Sequence, residues 1–410
     1  MTIQKSGIKH LLYAGIMPMP DNAAGEFPYY QDQSNASSIP SVEALMELLT
    51  ETVQKQVKEG AALMLSMGKD SVSLALAIQK AGLASKVRAY TYSDSEANSE
   101  ARQAAQIAGR LGITHHELTM PENAADIRSA MEHFFTHSPR PSCDPTVIPY
   151  ATCLYGEGIK QNQIIDGTGN DSYAGVLMPP RKKLLLNFHK YIGRHKVVQN
   201  LRQYLPIGNK LNMFVTPFIL TCFYTHPHFR THEIDEFFND DTNVNEAWNR
   251  PLEEVIGRSD IDIRTFITHH FDQYGVINKA QCVAESLNCD LTLPWMDKAV
   301  SNYYFNLPQA HKYNAQKGEN KTLIRAMLAE YLDYDASAVG KHIFAFNREA
   351  FLERNEGFIR DEMFGCEYWS NNVESFWKQY RHNPKAAGAI IDLFLVSGWL
   401  NHAKVMKEQG

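Results

Sequence analysis

Residues 61–77, AALMLSMGKDSVSLALA, restrict the fold more than any other part of this 410-residue chain. An apolar run over 61–65 gives way to a short polar loop, Ser66-Met67-Gly68-Lys69-Asp70-Ser71. Val72, Leu74, Ala75, Leu76 and Ile78 then recur at helical spacing, and the pattern stops near Gly82. A strand that turns through a glycine into a helix aims backbone N–H groups and the positive end of a helix dipole at one point, an arrangement suited to phosphate. Ser66, Lys69 and Ser71 add donors or charge, and Asp70 stands where a divalent ion could bridge protein and phosphate. The loop is not of the GxxxxGK[ST] type. The plainer alternative is an ordinary strand-to-helix turn capped by Asp70 and Ser71.

The surrounding chain repeats the theme. The spacing predicts an amphipathic helix over 41–58, capped by Ser41, with Val42, Leu45, Leu48, Leu49 and Val53 on one face. Strands over 87–92 and 113–118 are each followed by a helix, over 96–111 and 123–135, and a Pro-rich loop leads to a helix over 147–158. A further strand over 163–166 runs into a second glycine loop, Gly167-Thr168-Gly169-Asn170-Asp171. Strands separated by helices imply an α/β fold with a doubly wound parallel sheet. Ligands of such sheets sit beyond the carboxyl ends of the strands. Both glycine loops follow strand ends, so Asp70 and Asp171 are expected to face one crevice despite their distance in the chain.

Three regions are expected. Residues 1–40 form an irregular lead-in with one strand around 11–16, residues 41–180 the α/β core, and residues 181–410 a mostly helical portion that completes the site. The last begins with a basic run (Arg181, Lys182, Lys183) and ends in a Trp- and Phe-rich packing segment. Amphipathic helices are expected over 262–332, broken at 293–297. Forty basic against 46 acidic residues give a formal charge of −6, which argues against general nucleic-acid binding. Six scattered cysteines without a CxxC pair are expected to be buried thiols in a reducing compartment. Lys5, Lys9 and His10 interrupt any signal-like apolar core, and residues 386–400 are too short to span a bilayer. A cytoplasmic protein that engages no membrane is expected.

SMGKDS resembles the SGGxDS pyrophosphate loop of the N-type ATP pyrophosphatases (PP-loop, HUP-like fold), with Met67 in place of the first glycine. With the second loop in place, the chain resembles the synthetase domain of the asparagine synthetase family, to which the β-lactam-forming synthetases belong. Ser95-Glu96-Ala97-Asn98-Ser99-Glu100-Ala101, Ile107-Ala108 and Leu111-Gly112-Ile113-Thr114-His115-His116-Glu117 are similar to its DExExA…IAxxLGxxHHE passage. Gly167 to Asp171 resembles its GxGxD loop, and Pro294-Trp295-Met296-Asp297, followed by Leu307-Pro308, stands for its PFLD. Lys321-Thr322-Leu323-Ile324-Arg325 is similar to its K-x-L-L-R helix, and Gly340-Lys341-His342-Ile343-Phe344 falls where its RxKxGF motif would be. The resemblance covers about residues 40–350.

It implies ATP and Mg²⁺ as cofactors, and a small-molecule carboxylate whose acyl-adenylate is captured by ammonia or an amine. It places Mg²⁺ on Asp70 and Asp171, and pyrophosphate on Ser66, Gly68, Lys69 and Ser71, beside Gly167 and Gly169. Leu65, Tyr92 and Ser93 would line the nucleotide. Lys321 would contact phosphate or stand as a surface charge on its helix. Lys341 and Thr168 occupy catalytic positions; Lys341 would neutralise the transition states or be a solvated lysine. Thr168 stands where family members have Glu or Tyr, and its hydroxyl is a poor general base, so base-assisted ring closure is not expected. Asn170 is also unusual, and Ser172 replaces an acidic residue.

About 40 residues precede the synthetase-like region and position 2 is Thr2, so no glutaminase domain with an N-terminal Cys is expected. The nitrogen source would be free ammonia, an amine substrate or a separate glutaminase subunit; a homo-oligomer is compatible with the chain. Two other readings stay open: a PP-loop enzyme of sulfur chemistry, since SMGKDS also resembles SxGKDS, and a non-catalytic nucleotide-binding descendant. His226, His228 and His232 have spacing a zinc site could use, although surface or stacking histidines are the commoner outcome.

Overall fold

The computed structural model describes residues 5–18, 37–93, 99–159, 163–193, 195–205, 209–222, 229, 231–238, 244–336, 346–369 and 372–403. Its centre is a five-stranded sheet, wholly parallel, in the order β3-β2-β1-β4-β5. The strands are Ala61–Met64 (β1), Val87–Ser93 (β2), Thr114–Thr119 (β3), Gln163–Ile165 (β4) and Asp290–Thr292 (β5). The chain lays β1, β2 and β3 side by side in one direction, then returns to place β4 on the other edge of β1. The loops after β1 and β4 therefore leave the sheet on either side of the reversal, the place where open α/β sheets bind ligands. The fifth strand falls within a stretch expected to be helical. Asn288, with φ of 55° in the left-handed region, turns the chain out of the preceding helix and into it.

A helix, Lys5–Ala14 (α1), stands where a strand was expected around 11–16. Ile8, Leu11 and Leu12 are spaced to share a helical face and are all buried. Gly15, at φ 76°, ends the helix, its N–H bonded to Leu11 O at 2.7 Å. Short apolar runs of this kind fit both periods, and burial against the late helices decided the matter.

Side chains alternate across the sheet, Ala61 and Leu63 facing one hydrophobic cluster and Ala62 the other. The first face is covered by Val42–Gln56 (α2), Lys69–Lys80 (α3) and Ser99–Arg110 (α4). Ser41 caps α2, its hydroxyl accepting from Ala44 N at 3.1 Å. Every residue of α3 from Ser71 to Ile78 is buried, because sheet, α2 and a later helix enclose it. The second face is covered by Ala124–His137 (α5) and Val147–Gly156 (α6). Further along come Asp260–Phe271 (α7), Asn278–Ser286 (α8), Lys298–Phe305 (α9), Thr322–Leu332 (α10) and Ala387–His402 (α11). Helices α9 and α10 join the first face, whereas α8 and α11 join the second. Residues 387–400 of α11 are all buried, Asp392 included, so this apolar segment is core. No helix among the described residues is long and apolar enough to cross a membrane. All six cysteines are buried and none forms a disulfide.

Candidate active site

The loop after β1 is closed by its own serines. Ser71 Oγ accepts from Ser66 N at 3.1 Å and lies 3.0 Å from Ser66 Oγ, while Gly68 N donates to Ser66 Oγ at 3.1 Å. Gly68 precedes α3 without any side-chain cap, so neither Asp70 nor Ser71 caps it. The N–H groups of its first turn have no intrahelical partner, as at any helix start. Met67 turns into the core. Its N–H is held by Glu100 Oε1 at 3.0 Å, and Tyr334 Oη donates to its carbonyl oxygen.

Beyond the strand ends lies a cavity of about 300 Å³, at the lower end of the range for small-molecule sites. Leu65, Ser66, Gly68, Asp70, Ser71 and Tyr92 line one side, and Asp166, Gly167, Thr168 and Lys279 the other. Lys279 Nζ donates to Thr146 Oγ1 at 2.9 Å and pairs with Asp144 Oδ2 at 3.3 Å. Burial alone would raise the Asp144 carboxyl, but Lys279 and the Thr146 hydrogen bonds outweigh it and lower its pKa. For Asp166 burial prevails and the pKa is raised, although Lys279 opposes it and Thr168 N donates to its Oδ1 at 3.0 Å.

The second glycine loop is pressed against the first. A Cβ on Gly167 would meet Ser71 N at 3.0 Å, and one on Gly169, at φ 104°, would lie 2.5 Å from Met296 Sδ. The turn Pro294–Met296 supports both loops at once: Met296 packs on Gly169, and Trp295 Nε1 donates to Asp70 O at 3.1 Å. Asp70 and Asp171 are thereby brought to one point, and a lysine ammonium sits between them. Lys321 Nζ is 2.8 Å from Asp70 Oδ2, 2.6 Å from Asp171 Oδ1 and 2.6 Å from Asn170 Oδ1. Asn170 Nδ2 in turn donates to Asp70 Oδ1 at 2.6 Å. Burial pulls the Lys321 pKa down, but Asp171 and Asp70 overcome it and hold the ammonium above the ordinary lysine value.

On the far side of the second loop a cavity of about 210 Å³ is lined by Thr168, Asn170, Asp171, Arg264, Thr268 and Asp272, among others. Asp272 opens a π-helical turn after α7 and accepts from Ser172 Oγ at 3.1 Å. Burial, reinforced by Asp171, pushes its carboxyl up to about 8. Arg264 Nη1 donates to Cys222 O at 2.8 Å.

Of the residues singled out in the sequence, Leu65, Ser66, Gly68, Asp70, Ser71, Tyr92, Gly167 and Thr168 border the larger cavity, and Gly169 and Asp171 border the smaller. Lys69 lies beside them, half-buried, its pKa lowered by burial. Ser93 is buried at the end of β2 and borders neither. Lys321 is buried at the centre rather than on a helix surface. Lys341, His226, His228 and the His232 side chain lie outside the described residues. Glu100, Asp166, Lys279, Arg264 and Asp272 were not foreseen as site residues. Only Glu100 and Asp166 stand in motif-bearing stretches; the others have no local signal.

Two carboxylates facing one cation are the kind of oxygen donors a hard divalent ion takes, here gathered around an ammonium at 2.8 and 2.6 Å. Mg²⁺ is commonly held by one or two carboxylates, with phosphate and water completing the shell. Among the described residues no group of three or more His, Cys, Asp or Glu side chains is disposed to hold a metal by itself. No curated protein matches the chain. The family model described as asparagine synthase matches residues 44–206, which span β1 to β4, both glycine loops and the helices between them. Over these residues, about two fifths of the chain, the protein is similar to the asparagine synthase family.

Proposed function

We propose that this protein is an ATP-dependent, AMP-forming carbon–nitrogen ligase acting on a small-molecule carboxylate. The family supports an ATP-dependent ligase-type activity. The observation that carries the finer reading is the convergence of Asp70 and Asp171 on a single cation position at the sheet edge. A carboxylate oxygen attacks the α-phosphorus, the bond to the β-phosphate bridge breaks, and pyrophosphate leaves. Ammonia or an amine then attacks the acyl carbon, loses a proton, and AMP departs with the former carboxylate oxygen.

The residues divide these tasks by position. Ser66, Gly68, Lys69 and Ser71, at the start of α3, hold the departing pyrophosphate. Leu65 and Tyr92 line the nucleotide. Mg²⁺ on Asp70 and Asp171 would offset the negative charge that builds on the phosphates. Thr168, with its N–H tied to Asp166, orients the loop rather than taking a proton. The acid's remaining atoms extend into the smaller cavity, toward Arg264 and Thr268. By the family resemblance Lys341 neutralises the transition states.

The sulfur-chemistry reading is weakened by the thiols. Of the six cysteines only Cys222 borders either cavity, and burial raises the pKa of all of them, which disfavours a nucleophilic thiolate. ATP–pyrophosphate exchange, measured across a panel of acids with Mg²⁺, tests the ligase. Exchange that depends on one acid and falls at least a hundredfold in Asp70→Ala is expected; exchange that survives this substitution overturns the assignment.

A further inference from the structure

The ammonium of Lys321 is coordinated as an ion would be. A lysine has three N–H donors, and Asp70, Asp171 and Asn170 supply three oxygens at 2.8, 2.6 and 2.6 Å. Its side chain is 1% exposed, so water has no part in satisfying it. The backbone is committed to this placement: Lys321 precedes α10 at φ 58° and ψ 45°, a left-handed conformation that non-glycine residues rarely adopt. Its N–H is also fixed, donating to Lys312 O at 2.5 Å.

We propose that Lys321 is a built-in counter-ion that holds the metal position between Asp70 and Asp171, so that a divalent cation binds there only together with nucleotide. Two carboxylates face the Lys321 ammonium, and Lys69 acts on both of them as well, so little net negative charge is left to draw Mg²⁺ in against its cost of dehydration. The ammonium also stands between the oxygens that a metal would need to approach to about 2.0–2.1 Å. Nucleotide phosphates change both conditions: they add negative charge and oxygen ligands, and they give the ammonium another anion to face. The inference rests on reading Asp70 and Asp171 as metal ligands, as the proposed function does.

The test is Mn²⁺ binding to the full chain without nucleotide or acid, read by electron paramagnetic resonance of the unbound ion. Wild type is expected to bind Mn²⁺ at least tenfold more weakly than Lys321→Met or Lys321→Gln. Each of these should gain one site, and Asp171→Asn in the same background should lose it again. Mn²⁺ should also raise the melting temperature of the two variants and leave wild type unchanged. Equal affinity in wild type and variants overturns the inference, as does a variant that gains no site. Variants that stay unfolded even with Mn²⁺ overturn it too, because the metal then cannot stand in for the ammonium. Since neither ATP nor turnover enters the measurement, failure of adenylation leaves this result standing, and the converse also holds.

Discussion

Asp70 is used three ways within one residue. One carboxylate oxygen accepts from Asn170, the other faces Lys321, and the main-chain carbonyl receives the Trp295 indole. The unusual residues of the second loop are explained at the same scale. Asn170 bridges Asp70 to Lys321, and Ser172 donates to Asp272, so an acid from α7's far end stands beside the position where the family carries its own. Asp272 gives a pH prediction. Its pKa, raised by burial and then by Asp171 to about 8, means the unfolded chain releases a proton that the folded chain keeps. Its contribution to stability is therefore whole below about pH 4 and is lost as pH rises toward 8. Asp272→Asn keeps an acceptor for Ser172 but has no proton to lose. The variant should melt close to wild type near pH 4–5 and several degrees above it at pH 8; parallel melting curves at all pH values would contradict this.

The elements that matter most are short. The turn Pro294–Met296 touches both glycine loops, and its packing explains why position 169 is glycine. Gly169→Ala forces an L side chain to φ 104° and drives a methyl into Met296. We expect a loss of at least about 2 kcal/mol in stability and little remaining pyrophosphate exchange. Met296→Ala in the same chain should recover part of the loss, since it removes the collision and leaves the backbone strain; full recovery or none would show that one of the two terms is absent. Element boundaries were legible where punctuation was strong. Ser41 opened α2 and the serine–glycine loop separated β1 from α3, whereas α1 was misread because its apolar run fits two periods. The strand β5 had too few residues to announce itself.

At the scale of the whole molecule, four wholly or partly buried histidines on three elements dominate the response to acid among the described residues. His10 lies in α1, His189 in a π-helical segment, and His269 and His270 in α7. Burial lowers the first three to about 4 and His270 to about 3, where Nε2 also meets Met17 O at 2.9 Å. Below pH 6.5 the unfolded chain takes up protons that the folded chain refuses, so stability falls as pH drops from about 6.5 toward 4. The melting temperature should decrease by about 5 °C or more between pH 7 and pH 5. His270→Gln should flatten that slope; an unchanged slope would place the acid sensitivity elsewhere.

What the sequence by itself determined is the α/β class and the meeting of two particular loops. Both follow from local signals, the change from strand to helical period and a glycine at each strand end, and a parallel sheet then leaves those loops no other side to occupy. The tertiary structure alone decided what stands between the aspartates. Lys321 is 251 residues from Asp70, and nothing in the helix that follows it marks it as buried. A lysine's ammonium enters a core only where distant carboxylates are already gathered to receive it, and that gathering is a property of the folded chain.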